Sequence, residues 1–233
     1  MFNRTIINDL KHWKEQKDRK PLMMLGARQV GKTSVLKRFG RECFEHCVYF
    51  SLDEEAGVCD IFRTTKNPTQ IIEQLSYLTD EPILPEKTLL VLDEIQDCPE
   101  AISSMKYFCE KTPEYAIACA GSLLGLAFGH EGFSFPVGKV DHINMYPVTF
   151  SEFLEQKDSG LYRYYKSIDS IEPLPQVFFD RLSQAFTAYR ISGGMPEAAM
   201  KMIEVDMKGV ETKLQNILQD YTLDFVKHAT PQL

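Results

Sequence analysis

Gly26-Ala27-Arg28-Gln29-Val30-Gly31-Lys32-Thr33 spells G-x-x-x-x-G-K-T, directly after the apolar run Leu22-Met23-Met24-Leu25. Strand, glycine loop and helix start in that order make a Walker A phosphate-binding loop. The chemistry needs these residue types. Gly26 and Gly31 are expected to supply φ > 0 and close backbone approach to a polyphosphate. The N–H groups of Ala27, Arg28, Gln29 and Val30, and those of the helix start through Ser34, then surround the anion. Lys32 reaches the β- and γ-phosphates, and the Thr33 hydroxyl holds Mg²⁺. A glycine-rich turn with no ligand is the alternative, and it explains neither the Lys-Thr pair nor the strand before it.

Thr88-Leu89-Leu90-Val91-Leu92-Asp93-Glu94 is an apolar run ending in two acids. A buried parallel strand opening onto a phosphate site has this pattern. Asp93 lies 61 residues beyond Lys32, room for one more strand and helix, and Cys47-Val48-Tyr49-Phe50-Ser51 supplies the strand. Asp93 is the expected Walker B acid, a partner of Thr33 at the metal. Glu94 is the expected base that orients and deprotonates an attacking water. Alone, such a strand end would be an ordinary acidic turn; the Walker A loop upstream changes its reading.

A third apolar run, Ala116-Ile117-Ala118-Cys119-Ala120, leads to Gly121-Ser122. Ser122 has two readings here: a sensor of the γ-phosphate or attacking water, or the cap of a helix over 123–126.

The bulk properties bound the rest. The chain has 233 residues, 44% hydrophobic, enough for a sizeable core and one or two domains. Its net charge is −7 with no long basic run, so charge does not indicate a nucleic-acid interface, although a local patch stays open. No stretch is apolar enough to span a bilayer, and the first residues lack a signal-peptide core, so a soluble, cytoplasmic protein is expected. Six cysteines form no CxxC pair. Cys43, His46 and Cys47 fall short of the four ligands a structural zinc takes, and reduced, mostly buried thiols are expected.

Along the chain, Ile6, Ile7, Leu10 and Trp13 share one face of a helix over 4–16. The loop helix runs over 33–39 and stops at Gly40, read as its C′ glycine. Strand 47–51, a helix over 69–78, a helix over 100–111 begun by Pro99, and a strand over 140–145 follow. From Ser151, read as a capped helix start, the periodicity is helical throughout. Phe179, Leu182, Phe186 and Tyr189 share one helix face, and Leu214, Ile217, Leu218, Tyr221 and Phe225 another. The expected architecture is therefore an α/β core with a parallel sheet over 1–150 and a small all-helical domain over 151–233. Between two of the later helices, Gly193-Gly194-Met195-Pro196 reads as a sharp turn with Pro196 first in the next helix.

Taken together, GARQVGKT (26–33), LLVLDEIQDCPE (89–100), AGSLLG (120–125), FPVGKVDHINMYPVTFSEFL (135–154) and GGMPEA (193–198) resemble a family. It is the prokaryotic AAA+-type ATPases, near the STAND class, that carry a C-terminal restriction-endonuclease-like domain of unknown function. The resemblance implies an ASCE P-loop sheet of order 5-1-4-3-2 with a helical lid, and ATP with Mg²⁺. It supports Glu94 as catalytic base with Lys32, and Ser122 as sensor. It places Gly194 and Pro196 near the nucleotide, and Lys139 near the γ-phosphate. Arg28, Arg63 and Arg190 are candidate phosphate contacts, each with a surface or structural role as the alternative. One departure stands out: the sequence ends at Leu233, where the family runs on into its nuclease-like part. A piece of a longer protein and a short relative both fit, and no nuclease chemistry is assigned.

The function expected from these residues is Mg²⁺-dependent ATP hydrolysis whose nucleotide state moves the lid to control a fused domain or an unidentified protein partner. The alternative is a switch or scaffold that holds ATP or ADP and turns over little. A small-molecule kinase is disfavoured, because a water-activating Glu94 is unhelpful to a kinase. Oligomeric state, partner and process are not legible.

Overall fold

Every apolar run quoted above becomes a strand. The structure, a computed structural model, describes residues 2–122 and 135–228, the last five in backbone only. The strands are β1 (Leu22–Gly26), β2 (His46–Ser51), β3 (Thr88–Asp93), β4 (Ala116–Ser122) and β5 (Asp141–Met145). They form one sheet of order β2-β3-β4-β1-β5, parallel at each pairing. Read from the other edge, this is the expected 5-1-4-3-2. Burial explains the composition: β3 and β4 are buried at every position, which demands apolar residues on both faces.

The helices are α1 (Ile6–Glu15), α2 (Lys32–Cys43), α3 (Ala56–Thr64), α4 (Pro68–Ser76), α5 (Pro99–Lys111), α6 (Phe150–Lys157), α7 (Ser159–Lys166), α8 (Gln176–Ser192), α9 (Pro196–Ile203) and α10 (Met207–His228). The chain groups into two compact units. One is Ile6–Ala27 with Gly31–Met145; the other is Met1–Thr5, Arg28–Val30 and Tyr146–Leu233.

In the sheet unit, Val48, Phe50, Leu90, Leu92, Ile117 and Cys119 pack with Val58, Phe62, Ile71, Leu75, Met105 and Phe108 from α3, α4 and α5. On α1, Ile6, Ile7, Leu10 and Trp13 are buried as the periodicity requires. The Trp13 indole N–H donates to Lys20 O at 2.9 Å. Pro99 is the first residue of α5.

Three local readings change. Helix α3 is absent from the sequence reading; it is short, holds Gly57, and has no side-chain cap to announce it. Gly40 does not end α2 but lies inside it. A Cβ there would stand 2.3 Å from Cys47 Sγ and 3.3 Å from Leu89 Cδ2, so glycine is required by close helix–sheet approach. Helix α6 starts at Phe150, capped by Thr149 rather than Ser151. Thr149 Oγ1 accepts from Glu152 N and Glu152 Oε2 accepts from Thr149 N, a capping box.

Among its described residues the other unit shows two apolar clusters. Phe2, Val148, Phe153, Ala198, Ala199, Met202 and Val210 form one; Leu154, Leu161 and Ala185 form the second. Phe150 lies edge-on to Tyr165 and Phe186. The helix faces read as apolar are only half used. Phe179 is 53% and Leu218 68% exposed, while Ile217 is buried; the side chain of Phe225 lies outside the described residues. Adjacent residues such as 217 and 218 point about 100° apart on a helix, so one buries while its neighbour meets solvent.

Candidate functional site

Strand register brings the candidate residues to one edge of the sheet. Gly26 pairs with Ser122 and Met145, and Ser51 with Asp93, so these residues close the C-terminal ends of their strands. Open parallel sheets bind ligands at that edge.

The loop geometry separates the roles of its two glycines. Gly31 has φ 94° and ψ 27°, a left-handed conformation, and is the N-cap of α2 without any side-chain cap. The first-turn N–H groups of α2 therefore take no side-chain cap, the condition under which a helix start receives an anion. Gly26 is not at positive φ; it ends β1, where a Cβ would stand 2.3 Å from Met145 O. Its place is fixed by close approach of β5. The second left-handed residue of the loop is Gln29, at φ 60°. Lys32, only 7% exposed, donates to Gly26 O and Ala27 O, both at 3.0 Å. Its ammonium is thus folded onto the loop whose amides it complements.

Thr33 and Asp93 meet. Thr33 Oγ1 donates to Asp93 Oδ2 at 2.5 Å. The same oxygen accepts from Tyr49 OH at 3.1 Å, and Asp93 Oδ1 accepts from Glu94 N at 3.0 Å. Asp93 is 4% exposed, so these donors replace the water it lacks. Burial, with the charges of Asp93 and Asp53 adding to it, pushes the Tyr49 hydroxyl up to about 12, which keeps it a proton donor to Asp93. Lys37 Nζ sits 3.3 Å from the centre of the Tyr49 ring.

Glu94 stands at φ 48°, ψ 46°, a left-handed conformation rare for a non-glycine residue. Such strain persists where the surroundings fix it, and here Glu94 N donates to Asp93 Oδ1 and Glu94 O accepts from Asp97 N, both at 3.0 Å. Gln96 Nε2 donates to Glu94 Oε2 at 2.6 Å and to Asp97 Oδ2 at 3.2 Å, and Gln96 Oε1 accepts from Ser122 N at 3.3 Å. One buried amide therefore joins the predicted base to the end of β4. Sequence reasoning missed Gln96 and Tyr49. Gln96 lies inside the quoted LLVLDEIQDCPE stretch, but nothing in its spacing shows that it reaches back to Glu94. Tyr49 reads as an ordinary strand aromatic.

Other predicted residues lie as follows. Ser122 is the last residue of β4, 5% exposed, and the helix over 123–126 that it was read as capping lies outside the described residues. Gly193 and Gly194 are both left-handed, at φ 62° and 70°. A Cβ on Gly194 would stand 2.6 Å from Val148 O, and Val148 N donates to Gly194 O at 2.8 Å. Pro196 is the first residue of α9. The glycine turn thus has a packing reason of its own, independent of any ligand. Lys139 is corrected. It precedes β5, whose first residue pairs with Leu22 at the start of β1, so it stands at the sheet edge opposite Gly26. There it pairs with Glu110 at 2.9 Å. Arg63 pairs with Asp60 at 2.9 Å.

A five-stranded parallel sheet with a left-handed glycine before a buried lysine, and a threonine bonded to a strand-end aspartate, defines a P-loop nucleotide-binding protein. A model of the AAA domain matches residues 18–154, and the chain belongs to that family. Membership implies nucleotide binding. Among solved structures, the chain is similar to the replication initiator DnaA bound to AMPPCP and single-stranded DNA (15% identity, 97% of this chain and 68% of that one, TM-score 0.49). It is also similar to the Thermotoga maritima RuvB Holliday junction branch migration motor (14%, 87% and 61%, 0.46) and to C. elegans PCH-2 (11%, 90% and 67%, 0.45). A comparison with curated proteins finds no match. No helix among the described residues is long and apolar enough to cross a membrane.

Proposed function

We propose that the chain is a Mg²⁺-dependent ATPase whose nucleotide state moves its helical part, and so controls an attached domain or a protein partner. The observation that carries this reading is the 2.5 Å bond between Thr33 and Asp93, which joins the helix of the phosphate loop to the strand end bearing the acids. These two oxygen-bearing side chains suit a hard cation, so Thr33 and Asp93 would hold Mg²⁺. When bound, the ion neutralises charge on the β- and γ-phosphates. The residues of the chain do the rest. Amides from Ala27 to Ser34 receive the phosphates, Lys32 moves from the loop carbonyls to the anion, and Glu94 takes the proton of the attacking water. Ser122 is the proposed sensor, and Gly194 and Pro196 are proposed nucleotide contacts.

A second reading, a switch that holds nucleotide and turns over little, draws on the Gln96–Glu94 bond at 2.6 Å. A carboxylate engaged by an amide is less available to a water. Steady-state ATP hydrolysis with Mg²⁺, run beside Lys32→Ala and Glu94→Gln, separates the readings. The ATPase requires wild-type turnover well above Glu94→Gln, with ATP binding retained in that variant and lost in Lys32→Ala. Equal turnover in wild type and Glu94→Gln, with binding intact, overturns the ATPase in favour of the switch.

A further inference from the structure

Arg4 is 8% exposed and Glu152 3% exposed, two opposite charges brought together across 148 positions of sequence. Burial of an arginine is costly unless its donors are taken up. Arg4 Nη1 donates to Val30 O at 3.0 Å and Nη2 to Tyr146 O at 2.6 Å. Its Nε lies 3.2 Å from Glu152 Oε2, a charge contact rather than an aligned hydrogen bond. Glu152 is itself saturated: Oε1 accepts from Thr5 N and Thr5 Oγ1 at 2.7 and 2.8 Å, and Oε2 from Thr149 N at 2.9 Å. Arg4, Thr5, Thr149 and Glu152 thus form one network at the start of α6.

The contact to Val30 bears on the phosphate loop. No peptide bond among the described residues is cis, so the Val30 carbonyl and the Gly31 N–H point in opposite directions across one planar unit. Holding the carbonyl on Arg4 therefore aims the Gly31 N–H away from Arg4. Gly31 is left-handed and its own carbonyl is held by Val35 N at 3.0 Å, so the Val30–Gly31 peptide before it is the part of this turn that the contact with Arg4 holds. A planar guanidinium can supply that hold, because its fork donates to two carbonyls at fixed angles while its charge faces a carboxylate.

We propose that Arg4 is a positioning residue for phosphate binding, which sets the Val30–Gly31 peptide so that the Gly31 N–H serves the phosphate, and that Glu152 links this setting to the capping box of α6. The proposal rests on the nucleotide-binding reading above. It makes the first turn of α6 and the tip of the phosphate loop parts of one hydrogen-bonded assembly. A second tie within the same unit is the bond from Gln29 Nε2 to Asp220 Oδ2 of α10, at 2.5 Å.

The test uses the full chain, a fluorescent ADP analogue, and the variants Arg4→Lys, Arg4→Met and Glu152→Gln. Lys keeps the charge beside Glu152 but not the fork, so Arg4→Lys should fold and still bind about tenfold more weakly, the loss of one oriented hydrogen bond to a charged ligand. Hydrogen exchange over 28–33 in the nucleotide-free protein should quicken in Arg4→Lys. Exchange over 149–157 should respond to added nucleotide in wild type and not in that variant. A purely structural arginine would lower the melting temperature and leave affinity and loop exchange unchanged in protein that is still folded. That result, or wild-type affinity in both folded Arg4 variants, overturns the proposal. A wild-type chain that binds no nucleotide overturns the function reading itself, and this proposal with it.

Discussion

Thr33 Oγ1 and Asp93 Oδ2 stand 2.5 Å apart although 60 residues separate them in sequence. The contact exists because α2 starts at the end of β1 while Asp93 ends β3, and parallel register brings both to one edge. Around this pair the remaining contacts become testable.

Tyr49 donates to the same Asp93 oxygen, so Tyr49→Phe should weaken Mg²⁺-dependent nucleotide binding about threefold, the net loss of one neutral donor to a carboxylate. A Mg²⁺ titration at fixed nucleotide reads it. An unchanged midpoint would remove Tyr49 from the site.

The Tyr49 hydroxyl also predicts a pH dependence. Its folded value is raised from 10 to about 12. A raised folded value gives stability that is complete below the unfolded value and lost as pH rises through the folded one. Wild type should therefore lose stability between about pH 10 and 12 relative to Tyr49→Phe. Parallel denaturation curves for the two proteins across that window would refute the assignment.

Gln96 ties Glu94 to the end of β4. Gln96→Ala should release the carboxylate and lower turnover by about tenfold with little change in the Michaelis constant, as expected where a base loses its orientation. Under the switch reading the same variant should raise turnover instead. Steady-state kinetics distinguish the two by sign.

Gly40→Ala should destabilise the fold by about 1–3 kcal/mol, the ordinary cost of overpacking. The cause is the 2.3 Å approach to Cys47 Sγ, so Cys47→Ala in the same chain should recover part of the loss. A double-mutant cycle by chemical denaturation measures the coupling, and zero coupling would show that the clash is absorbed elsewhere.

Thr149→Ala removes half of the capping box of α6 and should cost about 1 kcal/mol. Thr149→Ser should restore it, since only the hydroxyl is used. Equal stability of the alanine and serine variants would deny the cap.

The sequence by itself determined the sheet, the phosphate loop and the acids. A parallel strand buried on both faces is apolar along its run, as 89–92 of β3 and 116–120 of β4 are, and G-x-x-x-x-G-K-T has few other uses. Local chemistry of this kind is written in neighbouring positions, where periodicity and spacing can be read. Tertiary structure decided everything that depends on distant positions. Gly40 looked like a helix end until the approach of Cys47 showed why it lacks a side chain. Lys139 looked close to the phosphates until strand register set it at the far edge with Glu110. Tyr49 and Arg4 lie in no motif, and the stretch that contains Gln96 does not show where its amide reaches. Each acquires its role from a hydrogen bond to a group on another element, and such a bond leaves no local pattern because its geometry is set by the packing of the sheet and the helices, not by the residues beside it.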